Sequence, residues 1–199
     1  MNRPPLFPVL TVSLLLFASR AGRTQEAEPQ VTLDVGDPAP SFTLKDDQGQ
    51  DWNSDDHYGE KIVVVYFYPA DMTSGCTKQA CAYRDHLEEF KSAGVEIVGI
   101  SGDSVRNHQL FKEAHNLNFT LLADVNGEAA RKFGVPYTAG KAEVKKEING
   151  TLESLVREIT PHRWTFVVGK DKTIKLKNDR VKPAEDSAKI LELLDELDS

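Results

Sequence analysis

The chain of 199 residues sets 24 lysines and arginines against 31 aspartates and glutamates, a formal charge of −7, and is 40% hydrophobic. Its basic residues are outnumbered and scattered, which excludes a nucleic-acid surface, while the length suffices for one domain with a real core.

Near the start, Arg3, the apolar run Leu6 to Ala18 and the small residues Ser19 and Ala21 read as a secretory signal peptide over residues 1–21. A membrane span needs about 20 apolar residues, and Pro8 interrupts this shorter run, so no stable span is expected. An uncleaved N-terminal anchor is the alternative. The signal places the mature chain in a secreted or periplasmic setting. Residues 22–34 read as a flexible lead-in and residues 35–199 as the folded domain.

Within that domain, Phe42-Thr43-Leu44, the turn Asp46-Asp47-Gln48-Gly49 and Trp52 predict a small hairpin. Ile62 to Tyr68, β-branched and aromatic, predicts a strand that stops at Pro69, which has no N–H for the ladder. From Cys76 the apolar spacing turns helical through Ala80, Tyr83, Leu87 and Phe90, and Gly94 marks the helix end. A second strand through Val95, Ile97, Val98 and Ile100 completes a βαβ unit, so the two strands are expected parallel and adjacent. Asp103-Ser104 caps a helix bearing Leu110, Phe111 and Ala114; Phe119 to Leu122 reads as a short strand, and Gly127 to Phe133 as a short helix. Tyr137 to Pro161 is highly charged with only a weak apolar spacing, and is assigned an extended surface loop. Arg163 to Val168 and Thr173 to Leu176 predict an antiparallel hairpin, and Pro183 opens a last helix with Ile190, Leu191, Leu194 and Leu197 on one face. The order of elements predicts an α/β fold, a mixed central sheet with helices on both faces.

The chemistry gathers around Cys76 and Cys81. Cys76 falls in the first turn of its helix, beside unpaired backbone N–H groups and the positive end of the helix dipole, where a thiolate, the reactive form, is favoured. Two thiols five residues apart on one helix have Cα atoms roughly 8–9 Å apart, beyond the reach of about 7 Å that a disulfide allows. A bridge therefore requires local unwinding, as suits a catalytic couple rather than a staple. The spacing does not suit zinc, and no metal or cofactor is expected. The five histidines (His57, His86, His108, His115 and His162) show no ligand spacing and read as surface or packing residues, and Arg84 as a structural helix-face partner.

Pro69-x-x-x-Thr73-x-x-Cys76 with Cys81 and Arg84-Asp85 resembles the peroxiredoxins of the bacterioferritin-comigratory-protein (PrxQ-like) subfamily, thiol peroxidases of thioredoxin-like fold. Ser101-x-Asp103-Ser104-x-x-x-His108-x-x-Phe111, Leu121-Leu122-x-Asp124, Gly134-Val135 and Arg163-x-Thr165-Phe166 stand at family-like positions, from about Val35 to the C-terminus. The resemblance implies that Cys76 is the peroxidatic and Cys81 the resolving cysteine, an atypical two-cysteine arrangement. It implies that Thr73 bonds the thiolate and peroxide, Pro69 shields the pocket, and Arg163 polarises sulfur and peroxide oxygens. The implied partners are a peroxide substrate and a thioredoxin-like dithiol reductant, with the protein acting as a monomer. Ser74 replaces a proline common in the family, Gln79 stands where an acid is frequent, and the stretch 137–161 is longer than expected. Two rival functions remain on the same fold. A thiol-disulfide oxidoreductase uses C-x-x-C, and a copper carrier needs C-x-x-x-C with a suitably placed His.

Overall fold

The structure, a computed structural model, describes residues 31–197; the predicted signal peptide and residues 22–30 of the lead-in lie outside the described residues. The strands are β1 Thr43–Asp46, β2 Asp51–Asn53, β3 Ile62–Phe67, β4 Val95–Ser101, β5 Thr120–Ala123, β6 Tyr137–Ile148, β7 Thr151–Pro161, β8 Trp164–Val168 and β9 Ile174–Asn178. The helices are α1 Ser74–Asp85, α2 Leu87–Ser92, α3 Val105–His115, α4 Glu128–Lys132 and α5 Asp186–Leu197.

A strand apolar at every position belongs in the middle of a sheet covered on both faces, and β3 lies there. It pairs parallel with β4 and antiparallel with β8, inside a seven-stranded sheet ordered β2-β1-β5-β4-β3-β8-β9. Alternation along β3 sends Val64 and Tyr66 to one core, with Tyr83, Phe90, Phe111 and Ile190 from the helices α1, α2, α3 and α5. Val63, Val65 and Phe67 go to the other, with Phe42, Trp52 and the α4 residues Ala129 and Ala130. Helices thus cover both faces of a mixed sheet, in the thioredoxin-like arrangement expected. The predicted hairpins are present as β1–β2 and β8–β9, and Leu33, from the expected lead-in, packs against the second core.

Two expectations change. The run from Cys76 to Phe90 is two helices, with the backbone of His86 (φ −94°, ψ 6°) between them and its Nδ1 2.9 Å from Ser187 Oγ. The stretch 137–161 is an antiparallel ribbon, β6 paired with β7, rather than a surface loop. Its turn is Asn149-Gly150, both at positive φ (50° and 78°), the conformation a two-residue hairpin turn requires. Ile148, Leu155 and Ile159 are buried, whereas the other face carries Glu143, Lys145 and Glu147. Charged residues at inward positions too, Lys146, Glu153 and Arg157, hide the alternation in the sequence.

The ribbon lies tight against the loop after β4. A Cβ on Gly102 would stand 2.0 Å from the backbone oxygen of Ile159, so any larger residue must push β7 away. Gly102→Ala is expected to destabilise the protein by about 1–3 kcal/mol, as overpacking does, read as a lower midpoint in urea unfolding.

Candidate active site

The polypeptide leaves β3 through Tyr68 and half-buried Pro69 and enters α1 at Ser74, with Thr73 as its N-cap residue. Cys76 sits in the first turn of α1 and is buried, 1% exposed; Cys81, one and a half turns on, is half-buried, and both thiols are free. The intact helix keeps their Cα atoms roughly 8–9 Å apart. Thr73 Oγ1 donates to the carbonyl of Ala70 at 3.1 Å, which leaves its lone pairs able to accept from a ligand beside the cysteine.

Arg163, just before β8 and 87 positions from Cys76, reaches the sulfur: Nη2 donates to Cys76 Sγ at 3.1 Å. Its other nitrogen, Nη1, donates to Gln79 Oε1, and Gln79 Nε2 donates at 2.8 Å to Asp186 Oδ2 at the start of α5. The same carboxylate oxygen accepts from Tyr83 Oη at 2.7 Å and Thr165 Oγ1 at 2.8 Å. Gln79, Asp186, Tyr83 and Thr165 are all buried. Burial first, and then the facing Asp186 carboxylate, pushes the Tyr83 hydroxyl well above its ordinary pKa, so it remains a donor. A guanidinium fixed at one end and aimed at sulfur from the other stabilises negative charge on a thiolate or on an oxygen beside it.

A second buried network holds the loop from behind. Met72 adopts φ +62°, a conformation that costs a non-glycine residue of order 1 kcal/mol or more. Around it, Asp71 N donates to Asp103 Oδ2 at 2.9 Å, Tyr68 Oη donates to Asp71 Oδ1 at 2.7 Å, and His108 Nδ1 stands 2.8 Å from Asp71 Oδ2. Asn107 Nδ2 donates to Asp103 Oδ1 at 3.0 Å and to the Val156 carbonyl at 3.1 Å, tying the ribbon to the same cluster. Burial alone would lower the His108 pKa, but the Asp71 carboxylate opposes it and the net shift is upward from 6.5. A raised histidine contributes stability that is fully present below its unfolded value and lost as pH rises through its folded value. The advantage of the native protein over His108→Gln is therefore expected to be largest below about pH 6.5, of order 3 kcal/mol, and to shrink above it. Thermal midpoints of both proteins across pH 5 to 9 check this.

The profile of the AhpC/TSA family matches residues 35–177. The chain belongs to the AhpC/TSA family. Within it, peroxiredoxin Q of the chloroplast of Sedum lineare is 42% identical over 163 residues, covering 81% of this chain and 78% of that protein. Among solved structures, peroxidoxin BcpB from Mycobacterium tuberculosis superposes with a TM-score of 0.69 at 32% identity, covering 84% of this chain and 99% of the other. The bacterioferritin comigratory protein of Xanthomonas campestris, described for its alkyl peroxide reduction activity, gives 0.65 at 28% identity, covering 84% and 98%.

In this peroxiredoxin the structure gathers Thr73, Cys76, Gln79 and Arg163 at the start of α1, with Pro69 at the mouth of the loop and Cys81 one turn and a half deeper along the helix. Arg84 bonds Asp85 and donates to the His115 carbonyl at 2.6 Å, as a helix-face partner would, and it also faces the Cys81 thiol. His108 is a packing residue as expected, but its Nδ1 also faces the buried Asp71 carboxylate at 2.8 Å, an ion pair whenever the imidazole is protonated. Asp186 was missed altogether, having no motif around it, and the Asp71 cluster was signalled only by the family-like spacing of Asp103 and His108. A cavity of about 280 Å³ lined by Lys61, Leu87, Val95 and Phe119 opens at the N-terminal ends of β3 and β4, whereas the thiols follow the C-terminal end of β3, so it is no part of this site. Among the described residues no helix is long and apolar enough to cross a membrane, and no group of three or more His, Cys, Asp or Glu is placed to hold a metal.

Proposed function

We propose that this family member is a thiol peroxidase for hydrogen peroxide and organic hydroperoxides, in which Cys76 is oxidised and Cys81 resolves it. The observation that carries the reading is the Arg163 guanidinium, donating to Cys76 Sγ at 3.1 Å while Gln79 holds its other end. The Cys76 thiolate attacks one oxygen of ROOH; the O–O bond breaks, a proton passes to the departing oxygen, and ROH and a Cys76 sulfenic acid result. Arg163 bears the charge growing on the departing oxygen, Thr73 positions the peroxide, and Pro69 keeps water from the sulfur. α1 then unwinds, the Cys81 thiol condenses with the sulfenic acid, and water leaves as the disulfide forms. A thioredoxin-like dithiol regenerates both thiols by exchange.

One chain supplies both sulfurs, so the cycle runs in a monomer. If residues 1–21 act as an export signal, the reductant is itself exported or membrane-linked. The alkyl peroxide activity described for the Xanthomonas campestris relative supports organic substrates. The C-x4-C spacing, which bridges only on unwinding, disfavours the oxidoreductase rival. The Cys81→Ser protein is expected to consume one equivalent of peroxide at close to the native rate and then stop in the presence of a dithiol protein reductant. Sustained native turnover by that variant would move the resolving role away from Cys81.

A further inference from the structure

The geometry points to Asp186 as a positioning residue that sets how readily α1 opens, and so how the oxidised enzyme divides between disulfide formation and overoxidation; this rests on the two-thiol cycle proposed above. Asp186 lies 107 positions from Gln79 in sequence, yet its Oδ2 accepts from two residues of α1 at once, Gln79 at 2.8 Å and Tyr83 at 2.7 Å. Gln79 lies between the two cysteines in the chain and Tyr83 just beyond Cys81. Unwinding that brings Cys81 to Cys76 pulls Gln79 off both Asp186 and Arg163, and disturbs Tyr83. The two Gln79 bonds that break when the helix opens are therefore the ones that fix Arg163 in its aim at the sulfur.

The anchor is also incomplete. Asp186 Oδ1 is buried with no hydrogen-bond partner among the described residues, while Oδ2 takes three donors. A buried carboxylate oxygen without a donor makes the closed state less stable than a fully bonded anchor would. The arrangement suits a latch that holds α1 closed for the first oxidation and releases it afterwards.

The sulfenic acid has two fates. In the closed helix it meets a second ROOH and becomes a sulfinic acid with release of ROH; in the opened helix it condenses with Cys81 and releases water. Weakening the latch favours the second fate and loosens Arg163 for the first oxidation, so the two steps move in opposite directions. A residue that merely supports the fold would slow both.

The test uses the reduced full-length protein and hydrogen peroxide in a stopped-flow experiment, with intact-mass analysis of quenched samples. In Asp186→Asn the ratio of the disulfide-forming rate to the Cys76 oxidation rate is expected to rise about tenfold, the effect of losing one to two net hydrogen bonds, and the sulfinic fraction at excess peroxide to fall. Thr165→Val removes a donor to the same oxygen from β8, which does not unwind, although its hydroxyl also lies against Tyr83; it is expected to lower the thermal midpoint and to change the ratio far less than Asp186→Asn does. An unchanged ratio in folded Asp186→Asn, or an equal change in Thr165→Val, overturns the role. Native protein that is oxidised without ever forming the Cys76–Cys81 disulfide overturns it differently, by removing the two-thiol cycle itself.

Discussion

Arg163→Met is expected to slow the oxidation of Cys76 by a single equivalent of hydrogen peroxide by about 10²–10³-fold, the usual cost of removing one fixed donor from a developing oxyanion. Methionine keeps most of the length and the apolar stem but removes both the charge and the N–H that stands 3.1 Å from the sulfur. Lysine at this position should restore only part of the rate. It supplies charge, but one ammonium cannot reach Cys76 and Gln79 together as the two guanidinium nitrogens do. Trp164, the next residue, gives a fluorescence signal beside the site for stopped-flow measurement. A native rate in Arg163→Met would place the polarising cation elsewhere.

Cys76→Ser has the larger effect: peroxide consumption is expected to fall to the rate of buffer alone. A serine hydroxyl is nearly the same size, so the buried position should tolerate it, but at neutral pH it offers almost no anionic nucleophile and no route to a sulfenic acid. Cys81 is not expected to replace it, because it lies beyond the first turn of α1 and the guanidinium beside it, Arg84, is tied to Asp85 and to the His115 carbonyl. Consumption measured by peroxide electrode, with circular dichroism to show that the fold persists, checks the point. Residual activity near the native level would remove Cys76 from the chemistry.

The parts of this fold that were legible are those in which one residue type dominates a stretch. β3 is apolar at every position because both faces are covered, and Pro69 and the helical spacing after Cys76 announce where strand gives way to helix. The ribbon β6–β7 was not legible because its inward positions mix Val144, Ile148, Leu155 and Ile159 with Lys146, Glu153 and Arg157, so the period of two never dominates. Asn149-Gly150 was its one clear local signal, a hairpin turn that the charged surroundings obscured. The site divides the same way. Thr73 and Cys76 are neighbours in sequence, and Arg163 was found through the resemblance. Asp186 and Asp71 work through contacts across the fold, and nothing in the residues around Asp186 hints at three donors converging on it.

In the proposed cycle peroxide oxidises Cys76 and Cys81 resolves it within one chain. Intact-mass analysis of the reduced protein before and after one equivalent of hydrogen peroxide, followed by peptide mapping, separates this cycle from its rivals. The expected product is a monomer that has lost two hydrogens and carries a Cys76–Cys81 bridge; a disulfide-linked dimer, or a chain that retains added oxygen with Cys81 still free, would rule the cycle out.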